Sequence, residues 1–425
     1  MGAAMIRGAF ALAIVPLIAA CVMIPTPDRA PTSAAAPLAL VGGRVQPDPQ
    51  GAALEDGVVL IDDGVITAVG SRSRLSVPAS ARMLDCGGAT VLAGFWNSHV
   101  HFTEPAFRSA ESAPPATLAA ALRTTLTSRG VVHAVDTGSF LRDTLALRMR
   151  IEAGEIPGPS ILTAGSSLAP AGGSPYYVLP ARIPEAGSAS EAAAIVEREL
   201  DAGVDVVKLF TGSWARPDAI VVMPVDVVRA AVAVAHRRGK LVIAHPSNSA
   251  GARAAIEGGV DILAHTFPSE LDGRSWDRSL PPLMHERGMA LIPTLKLFAY
   301  ELAKTNLPPA VVERVIGNAR EQVSMFSALG GRVLFGTDVG YMTEYDPTDE
   351  YVALRGAGLS YPAILAALTT APAARFAVAA RTGRLAPGMA ADVVVVDGRP
   401  EDDIRALARV HYTVRNGRII YERAP

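Results

Sequence analysis

Cysteine and aromatic residues are scarce in this chain of 425 residues. There are two cysteines, Cys21 and Cys86, and aromatic residues make up 5% of the sequence. If the chain is cut before Cys21 and that cysteine is modified, Cys86 is the single remaining thiol, which excludes an internal disulfide. We therefore expect Cys86 to be a small buried core residue.

Charge is also sparse, and neither sign dominates. Charged residues make up 19% of the chain, the formal net charge is −2, and half of the residues are hydrophobic. This balance excludes a disordered chain, and the absence of a basic patch or an acidic tail argues against nucleic acid as a partner. The length allows one large domain and a smaller one.

The apolar run from Ala9 to Ala20 is too short to span a bilayer comfortably. It follows Arg7 and ends in Ile18-Ala-Ala-Cys21, which predicts an export signal over residues 1–21. The ending resembles a bacterial lipoprotein signal, in which the cysteine is lipidated; the alternative is plain secretion with cleavage near Ala20 or later. Residues 22–37, rich in Pro, Ala, Ser and Thr, predict a flexible tether. We expect an exported periplasmic or cell-envelope protein that contacts a membrane only through this anchor.

Short strand-like runs occupy both ends of the chain beyond the tether. Residues 38–92 contain several such runs punctuated by Gly and Asp, and residues 380–425 repeat the texture, with Asn416-Gly417 as a hairpin signal. We expect the two ends to build one small β-sandwich domain together.

Strand-like and helix-like segments alternate through residues 93–379. After a first strand that reaches His99, apolar strands recur at Val131 to Val135, Ser160 to Ala164, Val204 to Phe210, Leu241 to His245, Ile262 to His265, Ala290 to Thr294 and Val333 to Asp338. Helical patterns include Ala116 to Arg129, Ala189 to Ala202, Pro224 to Arg238 and Pro308 to Leu329. These β/α units predict an α/β fold, a (β/α)8 TIM barrel. A doubly wound open sheet is the alternative, weakened by the lack of a Gly-rich phosphate turn after the first strand.

Polar residues stand at the ends of five of these strands. They are His99 and His101, Lys208, His245, His265 and Asp338. Because the carboxyl ends of barrel strands form the active-site face, these side chains would converge there. Each one alone has a structural explanation, such as a half-exposed strand that carries polar residues. Together they indicate a metal site.

Lys208 is the most informative member of this set. A bare ammonium inside an apolar strand is costly without a partner and would repel a cation. Addition of carbon dioxide to the amine gives an anionic carbamate, which can bridge two metal ions. The alternative is a lysine that pairs with a carboxylate at the barrel mouth.

On these residues the chain resembles the amidohydrolase superfamily, closest to its metal-dependent Xaa-Pro dipeptidase (prolidase-like) and imidazolonepropionase-like branches. The matching stretches are Gly94-Phe with His99-Val-His101, Gly158 to Gly165, Val207-Lys208-Leu, Ala244-His245, Ala264-His265, Gly336-Thr-Asp338 and Gly383 to Asp392. There are departures: Asn97 replaces the usual Asp, Ala93 the usual Pro, no histidine follows Gly172-Gly173, and His245 continues as Pro-Ser-Asn. They leave the metal ligands in place and put a dipeptide substrate in doubt.

The resemblance implies two divalent metal ions, which we expect to be zinc. His99, His101 and Asp338 would hold one ion, His245 and His265 the other, and carboxylated Lys208 would bridge them. Asp338 would also act as the general base. The implied reaction is hydrolysis of an amide or peptide bond in a dipeptide, an N-acyl amino acid or a related amide.

Three other functions remain open on the sequence. A lactonase or phosphotriesterase could use the same metal pair. A mononuclear deaminase of a cyclic amidine uses a similar His, His, Asp set without the lysine. A non-catalytic surface lipoprotein could have kept the barrel for binding, although the intact ligand set argues against it.

The loops after the strands should supply the contacts to a small-molecule substrate. The candidates are Tyr176, Trp214, Arg216, Asn248, Lys296 and Tyr341, with Tyr177, Ser247, Phe267 and Tyr300 as further ones. Arg216 or Lys296 could receive a substrate carboxylate, or each could be a solvated loop charge. Aromatic residues in these loops favour an apolar or aromatic substrate group. A homo-oligomer is left open, and His133, His236, His285 and His411 are not assigned to catalysis.

Overall fold

The structure is a computed structural model that describes residues 37–424. The predicted export signal, with Cys21, and the tether up to residue 36 lie outside the described residues. Within residues 37–424, no helix combines the length and the apolar character needed to cross a membrane.

The strands are numbered in chain order. They are β1 (Leu38–Val45), β2 (Leu54–Asp62), β3 (Val65–Ser71), β4 (Arg82–Asp85), β5 (Ala89–Ala93), β6 (Phe95–Val100), β7 (Val131–Asp136), β8 (Ser160–Thr163), β9 (Ala169–Pro170), β10 (Glu185–Ala186), β11 (Val207–Phe210), β12 (Gly212–Arg216), β13 (Ala219–Val222), β14 (Val242–His245), β15 (Ile262–Ala264), β16 (Ala290–Ile292), β17 (Arg332–Val333), β18 (Val393–Asp397), β19 (Val410–Arg415) and β20 (Arg418–Glu422).

The α-helices follow the same convention. They are α1 (Pro115–Thr125), α2 (Leu141–Glu152), α3 (Ala189–Asp201), α4 (Val225–Arg237), α5 (Ser249–Gly258), α6 (Leu280–Glu286), α7 (Leu295–Leu302), α8 (Pro309–Ala328), α9 (Thr348–Gly356), α10 (Tyr361–Leu368) and α11 (Thr370–Arg375). Short 3-10 turns lie at Pro105–Phe107, Thr127–Arg129, Tyr176–Val178 and Ile404–Ala408.

Strands from both ends of the chain share one sheet. Its order is β20-β19-β18-β5-β1-β2-β3, with β4 also paired to β1. The four valines of β18 are all buried, as expected for β-branched residues in a central strand. The predicted hairpin is present at Asn416-Gly417, where φ is +46° and +72°, the positive values that a tight two-residue turn between strands requires. Cys86 is buried in this part of the molecule, as expected.

The middle of the chain forms two parallel sheets, so the fold is mixed α/β. One sheet has the order β6-β7-β8 and the other β11-β14-β15-β16-β17. Backbone hydrogen bonds also connect the edges of the two sheets. Asp338 N donates to His99 O (2.9 Å) beside β6, and Asp205 N donates to Thr163 O (2.8 Å) at the end of β8.

One buried apolar cluster draws side chains from around these parallel strands. Its members are Trp96, Val135, Ala164, Val206, Ile243, Ile262, Ala264, Ala290, Ile292 and Leu334. The helices pack on the other face of the sheets with regularly spaced apolar residues. In α3, Ala192, Val196 and Leu200 recur every four residues and are buried, while Ser188 caps the helix by accepting a hydrogen bond from Glu191 N.

Candidate functional site

The histidines at the ends of β6, β14 and β15 lie together with Asp338. Asp338 Oδ1 is 2.9 Å from His101 Nε2 and 3.3 Å from His99 Nε2, and Asp338 Oδ2 is 4.0 Å from His265 Nε2. The His245 and His265 ring centroids are 4.6 Å apart. The structure therefore brings the predicted ligands into one cluster, in which His99, His101 and Asp338 have ligand atoms close enough to hold one ion.

Two of these residues adopt an uncommon backbone conformation. His265 has φ +70° and Asp338 has φ +62°, both in the left-handed region that favours glycine. A non-glycine residue there costs about 1–3 kcal/mol, and such strain persists where the surroundings impose it, often at functional sites. Both side chains lie in the cluster, with Asp338 Oδ2 and His265 Nε2 4.0 Å apart.

Oxygen atoms on the far side of the ring fix the orientation of two imidazoles. His101 Nδ1 donates to Gly138 O (2.6 Å). His265 Nδ1 donates to Thr294 Oγ1 (2.6 Å), whose hydroxyl in turn donates to Pro293 O (2.9 Å). Each of these rings therefore presents the Nε2 lone pair toward Asp338.

His245 is oriented through its Nε2 atom and not through Nδ1. Its Nε2 donates to Ser247 Oγ (3.1 Å), and the serine hydroxyl donates to Gly212 O (2.8 Å). This leaves the Nδ1 lone pair of His245 free. In the neutral form, these rings and the ionised Asp338 present acceptor atoms to one another, which is unfavourable unless a cation lies among them. The donor set therefore fits a divalent metal of the kind that nitrogen and oxygen ligands bind.

The electrostatics of the cluster favour these protonation states at three of the four histidines and at Asp338. His101 is the exception: burial lowers its pKa, but the hydrogen bond to Asp338 and the charge of that carboxylate outweigh burial and raise it. Burial, together with the charge of Lys208, lowers the pKa of His99 and of His245 to about 3. Burial and the neighbouring His99 and His245 also hold the pKa of His265 well below its usual value. Burial opposes ionisation of Asp338, but the adjacent His99 and His101 hold the pKa of that carboxyl well below its ordinary value. Metal binding requires these deprotonated forms.

Lys208 lies on β11 with 2% of its surface exposed. Burial lowers the pKa of its ammonium to about 8, although the charges of Asp338 and Asp136 oppose the shift. Within residues 37–424 no carboxylate oxygen lies within 4.0 Å of its Nζ, and the ammonium sits 5.7 Å from the centre of the Phe210 ring. The structure thus provides no direct carboxylate partner for this lysine in the described part of the chain.

The sequence reasoning missed Asp136, which ends β7 and is fully buried. Its carboxylate accepts hydrogen bonds from Ser139 Oγ (2.6 Å), Thr163 Oγ1 (2.6 Å) and Gly138 N (3.2 Å). It thereby shapes the loop whose Gly138 carbonyl orients His101. The available signal was the one used for the other strands, namely a polar residue directly after a buried run.

Asn97 has a structural use at the position where the resemblance would place Asp. Its Nδ2 donates to Thr337 Oγ1 (2.7 Å), and its Oδ1 accepts from Thr337 N (3.2 Å). This paired contact fastens β6 to the segment that carries Asp338. At this position Asn97 therefore joins two ligand-bearing segments.

Three of the predicted substrate contacts have polar groups engaged within the protein. The Oδ1 of Asn248 caps α5 by accepting from Gly251 N (2.9 Å). Arg216, exposed on the hairpin of β12 and β13, pairs with Asp218 (3.1 Å). Lys296 is buried in α7, where its Nζ donates to Glu344 O (3.0 Å) and Asp346 O (2.8 Å). Contact between these side chains and a substrate stays a prediction.

Four of the predicted aromatic residues fall into two places. Tyr176, which is 39% exposed, and Tyr341 both pack against Tyr177, with ring centroids 5.6 Å and 5.5 Å away. Trp214 lies on the hairpin opposite Ile220. The hairpin itself was not anticipated in the sequence, where a loop was expected. Of the other two predicted aromatic residues, Phe267 is buried in the core against Trp276, so it is not a surface for a substrate, and Tyr300 lies on α7 beneath Lys304.

Comparisons with known proteins agree with this architecture. A family model described as the amidohydrolase family matches residues 90–420. The chain is 25% identical over 402 aligned residues to the ochratoxinase of Aspergillus niger, an alignment that covers 84% of this chain and 80% of the relative.

Solved structures also match this chain over most of its length. A protein of Bifidobacterium longum described as a prolidase superposes with a TM-score of 0.77 and 26% identity, covering 92% of this chain and 96% of that one. A prolidase in complex with N-methylphosphonate-L-proline superposes with a TM-score of 0.74 and 26% identity, covering 91% of this chain and 100% of that one.

Proposed function

Because the chain belongs to the amidohydrolase family and is a hydrolase that acts on carbon–nitrogen bonds, we propose that it cleaves an amide bond at a binuclear metal centre. The observation that carries the proposal is the inward direction of the imidazole lone pairs. His101 and His265 are held by outer oxygens so that Nε2 faces the ionised Asp338. Such outer partners are typical of metal-binding histidines.

We propose that the two parallel sheets close into one (β/α)8 barrel over residues 93–379. The proposal is supported by the hydrogen bonds that join both pairs of sheet edges and by the buried cluster to which the parallel strands contribute. In such a barrel the carboxyl ends of the strands form the active-site face, where the histidines of β6, β14 and β15 lie.

His99, His101 and Asp338 would hold one metal ion, and His245 and His265 the second. Divalent ions bound there would lower the pKa of water to about 7 and polarise the scissile carbonyl. Zinc suits the imidazole-rich donor set. We propose that Lys208 supplies the bridge, since its amine can add carbon dioxide to form a carbamate with release of a proton.

Asp338 is suited to move the proton during hydrolysis. Its carboxylate is ionised, buried, and directed at the centre of the cluster. It would take a proton from the attacking water and deliver it to the departing amine nitrogen as the carbon–nitrogen bond breaks. Lys208 acts as a ligand in this scheme and exchanges no proton.

Replacing Lys208 tests the proposal directly. We expect Lys208→Ala to lose most activity and at least one equivalent of metal, measured by elemental analysis alongside kcat/KM. Short carboxylates with carbon dioxide should partly restore both, since they can occupy the place of the carbamate. Lys240→Ala, in the turn before β14, is the matched control and should keep full metal and activity.

Full metal content and rate in Lys208→Ala would contradict the bridge. The number of metal equivalents in the wild type also separates the alternatives. Two equivalents agree with the amide hydrolase or with a lactonase or phosphotriesterase, and one favours the deaminase. Rates on dipeptide, N-acyl amino acid, lactone and phosphotriester libraries then decide among the hydrolases.

We further propose that residues 38–92 and 380–425 form a β-sandwich domain, since both ends contribute strands to one sheet. Export, and lipid attachment at Cys21, are also proposals that rest on the sequence alone.

A further inference from the structure

We infer that the Tyr177–Tyr341 pair binds an aromatic ring of the substrate, so that the preferred substrate is an amide with an aromatic group beside the scissile bond. The inference rests on the proposed function and names the substrate class for the same site. Its starting point is the geometry of two tyrosines on different loops. Their ring centroids lie 5.5 Å apart with an interplanar angle of 66°.

Tyr341 is attached directly to the metal-ligand segment. Tyr341 N and Met342 N both donate to Asp338 O, at 3.2 Å and 3.0 Å. Gly340 makes this possible, because a Cβ at that position would lie 2.0 Å from His101 O, and its φ is +99°. The close approach places Tyr341 beside the residues that would hold the first ion.

The loop that carries Tyr341 is held at several points. Gly340 O accepts from Thr103 Oγ1 (2.8 Å). Lys296 Nζ, buried beneath the loop, donates to the carbonyls of Glu344 and Asp346. A tyrosine on a segment fixed in this way loses little conformational freedom when a ligand packs against it.

The loop that carries Tyr177 is also held. Glu185 accepts hydrogen bonds from Gly172 N (2.7 Å) and Ser174 N (3.2 Å), and Ser213 Oγ donates to Gly173 O (2.5 Å). Burial raises the pKa of both Tyr177 and Tyr341, and the charge of Asp338 contributes to both shifts. The geometry agrees with this, since Tyr341 N bonds to Asp338 O and the Tyr177 ring packs against the Tyr341 ring.

The rings still have surface for a ligand. Tyr177 and Tyr341 are each partly exposed, and Tyr176 packs edge-on against Tyr177 at the outer side. Edge-to-face and offset contacts with a further ring at such a pair add about 0.5–1.5 kcal/mol to simple burial of area, which is roughly a 2- to 13-fold change in binding. An aliphatic group of equal size gains the burial without that addition.

The charged side chains around the site also favour recognition of an aromatic group. The two cations considered for a substrate carboxylate are engaged elsewhere, Arg216 by Asp218 and Lys296 by backbone carbonyls. Lys304, near Tyr341, pairs with Glu301 (2.7 Å) and covers the Tyr300 ring. No cation free of a partner is thus available beside the pair from these three residues, and the rings themselves offer aromatic contact.

The test compares ligands that differ only in aromaticity. N-benzoylglycine is paired with N-cyclohexanecarbonylglycine, and N-acetylphenylalanine with N-acetylcyclohexylalanine. Isothermal titration on the metal-free protein gives binding, and steady-state kinetics on the zinc-loaded protein give KM and kcat. We expect the wild type to favour the phenyl member of at least one pair by roughly 2- to 13-fold.

Variants then assign the preference to the two rings. Tyr177→Leu and Tyr341→Leu should each remove most of it, raising KM for the phenyl ligand with little change in kcat. Tyr177→Phe should keep the preference, because the ring remains. Tyr421→Leu, on β20 against Arg123, is the remote control and should behave as the wild type.

Equal binding of the phenyl and cyclohexyl members to the wild type would overturn the inference. So would a preference that survives both leucine variants. Failure of the proposed function would give a different result. Phenyl-selective binding without hydrolysis of any amide, N-acetylglycine included, would support the ring site and contradict the proposed amide hydrolysis.

Discussion

The imidazoles of the cluster depend on oxygen atoms that lie behind them. His101 is oriented by Gly138 O, and that carbonyl is positioned by the loop that Asp136 organises. Asp136 touches no reacting atom in this arrangement, so it is a positioning residue. Its effect should appear first in how firmly the metal is held.

We expect Asp136→Ala to weaken metal retention by about 10-fold or more, the usual range for loss of an outer partner of a metal-bound histidine. The measurement is the rate at which a chelator strips zinc from the protein. Asp136→Asn keeps an acceptor for Gly138 N and should retain most of the affinity. Equal stripping rates for the wild type and the alanine variant would contradict the positioning role.

Asp338→Asn should lower kcat by roughly 10² or more, because the amide keeps the size of the side chain but cannot accept the proton. Burial opposes ionisation of Asp338, yet the neighbouring imidazoles hold its pKa well below the ordinary value. The wild-type carboxylate is therefore ionised at neutral pH and is lost as a base only as pH falls through that lowered pKa. The acidic limb of the kcat profile should shift or vanish in the variant.

Metal content must accompany that measurement, since a lost ion would imitate a lost base. A variant that binds both ions and keeps near-normal kcat would place the base elsewhere.

Sequence reasoning reached the cluster residues but not the use made of their neighbours. His99 and His101 could be found because their spacing and their place after an apolar run are local features. The burial of Lys296 could not, because it depends on carbonyls of Glu344 and Asp346, which are distant in sequence. The capping role of Asn248 could not be found either, because that contact depends on α5 beginning at Ser249.

At the scale of elements, the predicted helices agree with the structure where amphipathic pattern and caps coincide. The pattern over 224–238 corresponds to α4 at Val225–Arg237. The unexpected elements include the hairpin of β12 and β13, the pairing of β9 with β10, and the short helix α7. All are brief, and α7 begins where Lys296 N donates to Glu350 Oε2 (2.7 Å) from α9, a tertiary contact that no local pattern encodes.

Glu350, which joins α7 to α9, also makes the stability of the fold depend on pH. Burial raises the pKa of its carboxyl to about 7. A carboxyl with a raised folded pKa binds its proton more tightly in the folded protein than in the unfolded chain. Its contribution to stability is therefore present below the unfolded pKa and is lost as pH rises through about 7.

Glu350→Gln should remove this dependence. Relative to the wild type, the free energy of unfolding of the variant should improve as pH rises from 5 to 8, by up to about 3 kcal/mol. Urea unfolding at several pH values provides the measurement. A difference between the two proteins that stays constant across this range would exclude the assignment.

At the scale of the whole molecule, a buried contact joins the parallel strands to the C-terminal segment. His133 Nε2, on β7, lies 3.0 Å from Asp392 Oδ2, and Asp392 Oδ1 accepts from Asn416 N (2.9 Å). His133 also stacks on Trp96, with centroids 4.3 Å apart. The histidine that had no catalytic assignment thus takes part in holding the C-terminal segment to the parallel strands.

Asp392→Ala should lower the free energy of unfolding by about 2–4 kcal/mol, because the buried donors that bond to this carboxylate would lose their acceptor. Thermal unfolding with the metal-loaded protein is the measurement. Asp402→Ala, at an exposed ion pair, should stay within about 0.5 kcal/mol of the wild type. A similar loss in both variants would argue against a special role for the buried contact.

The pairing of β5 with β18 also has a consequence for synthesis. Ala93 lies opposite Val393, so β5 acquires this neighbour only after 300 further residues have been made. At roughly 5–20 residues per second, the delay is between about 15 and 60 seconds. During that time the nascent chain cannot complete its first sheet. For a chain that is exported, as we propose, this delay keeps the early segment open to the translocation machinery until the last strands arrive.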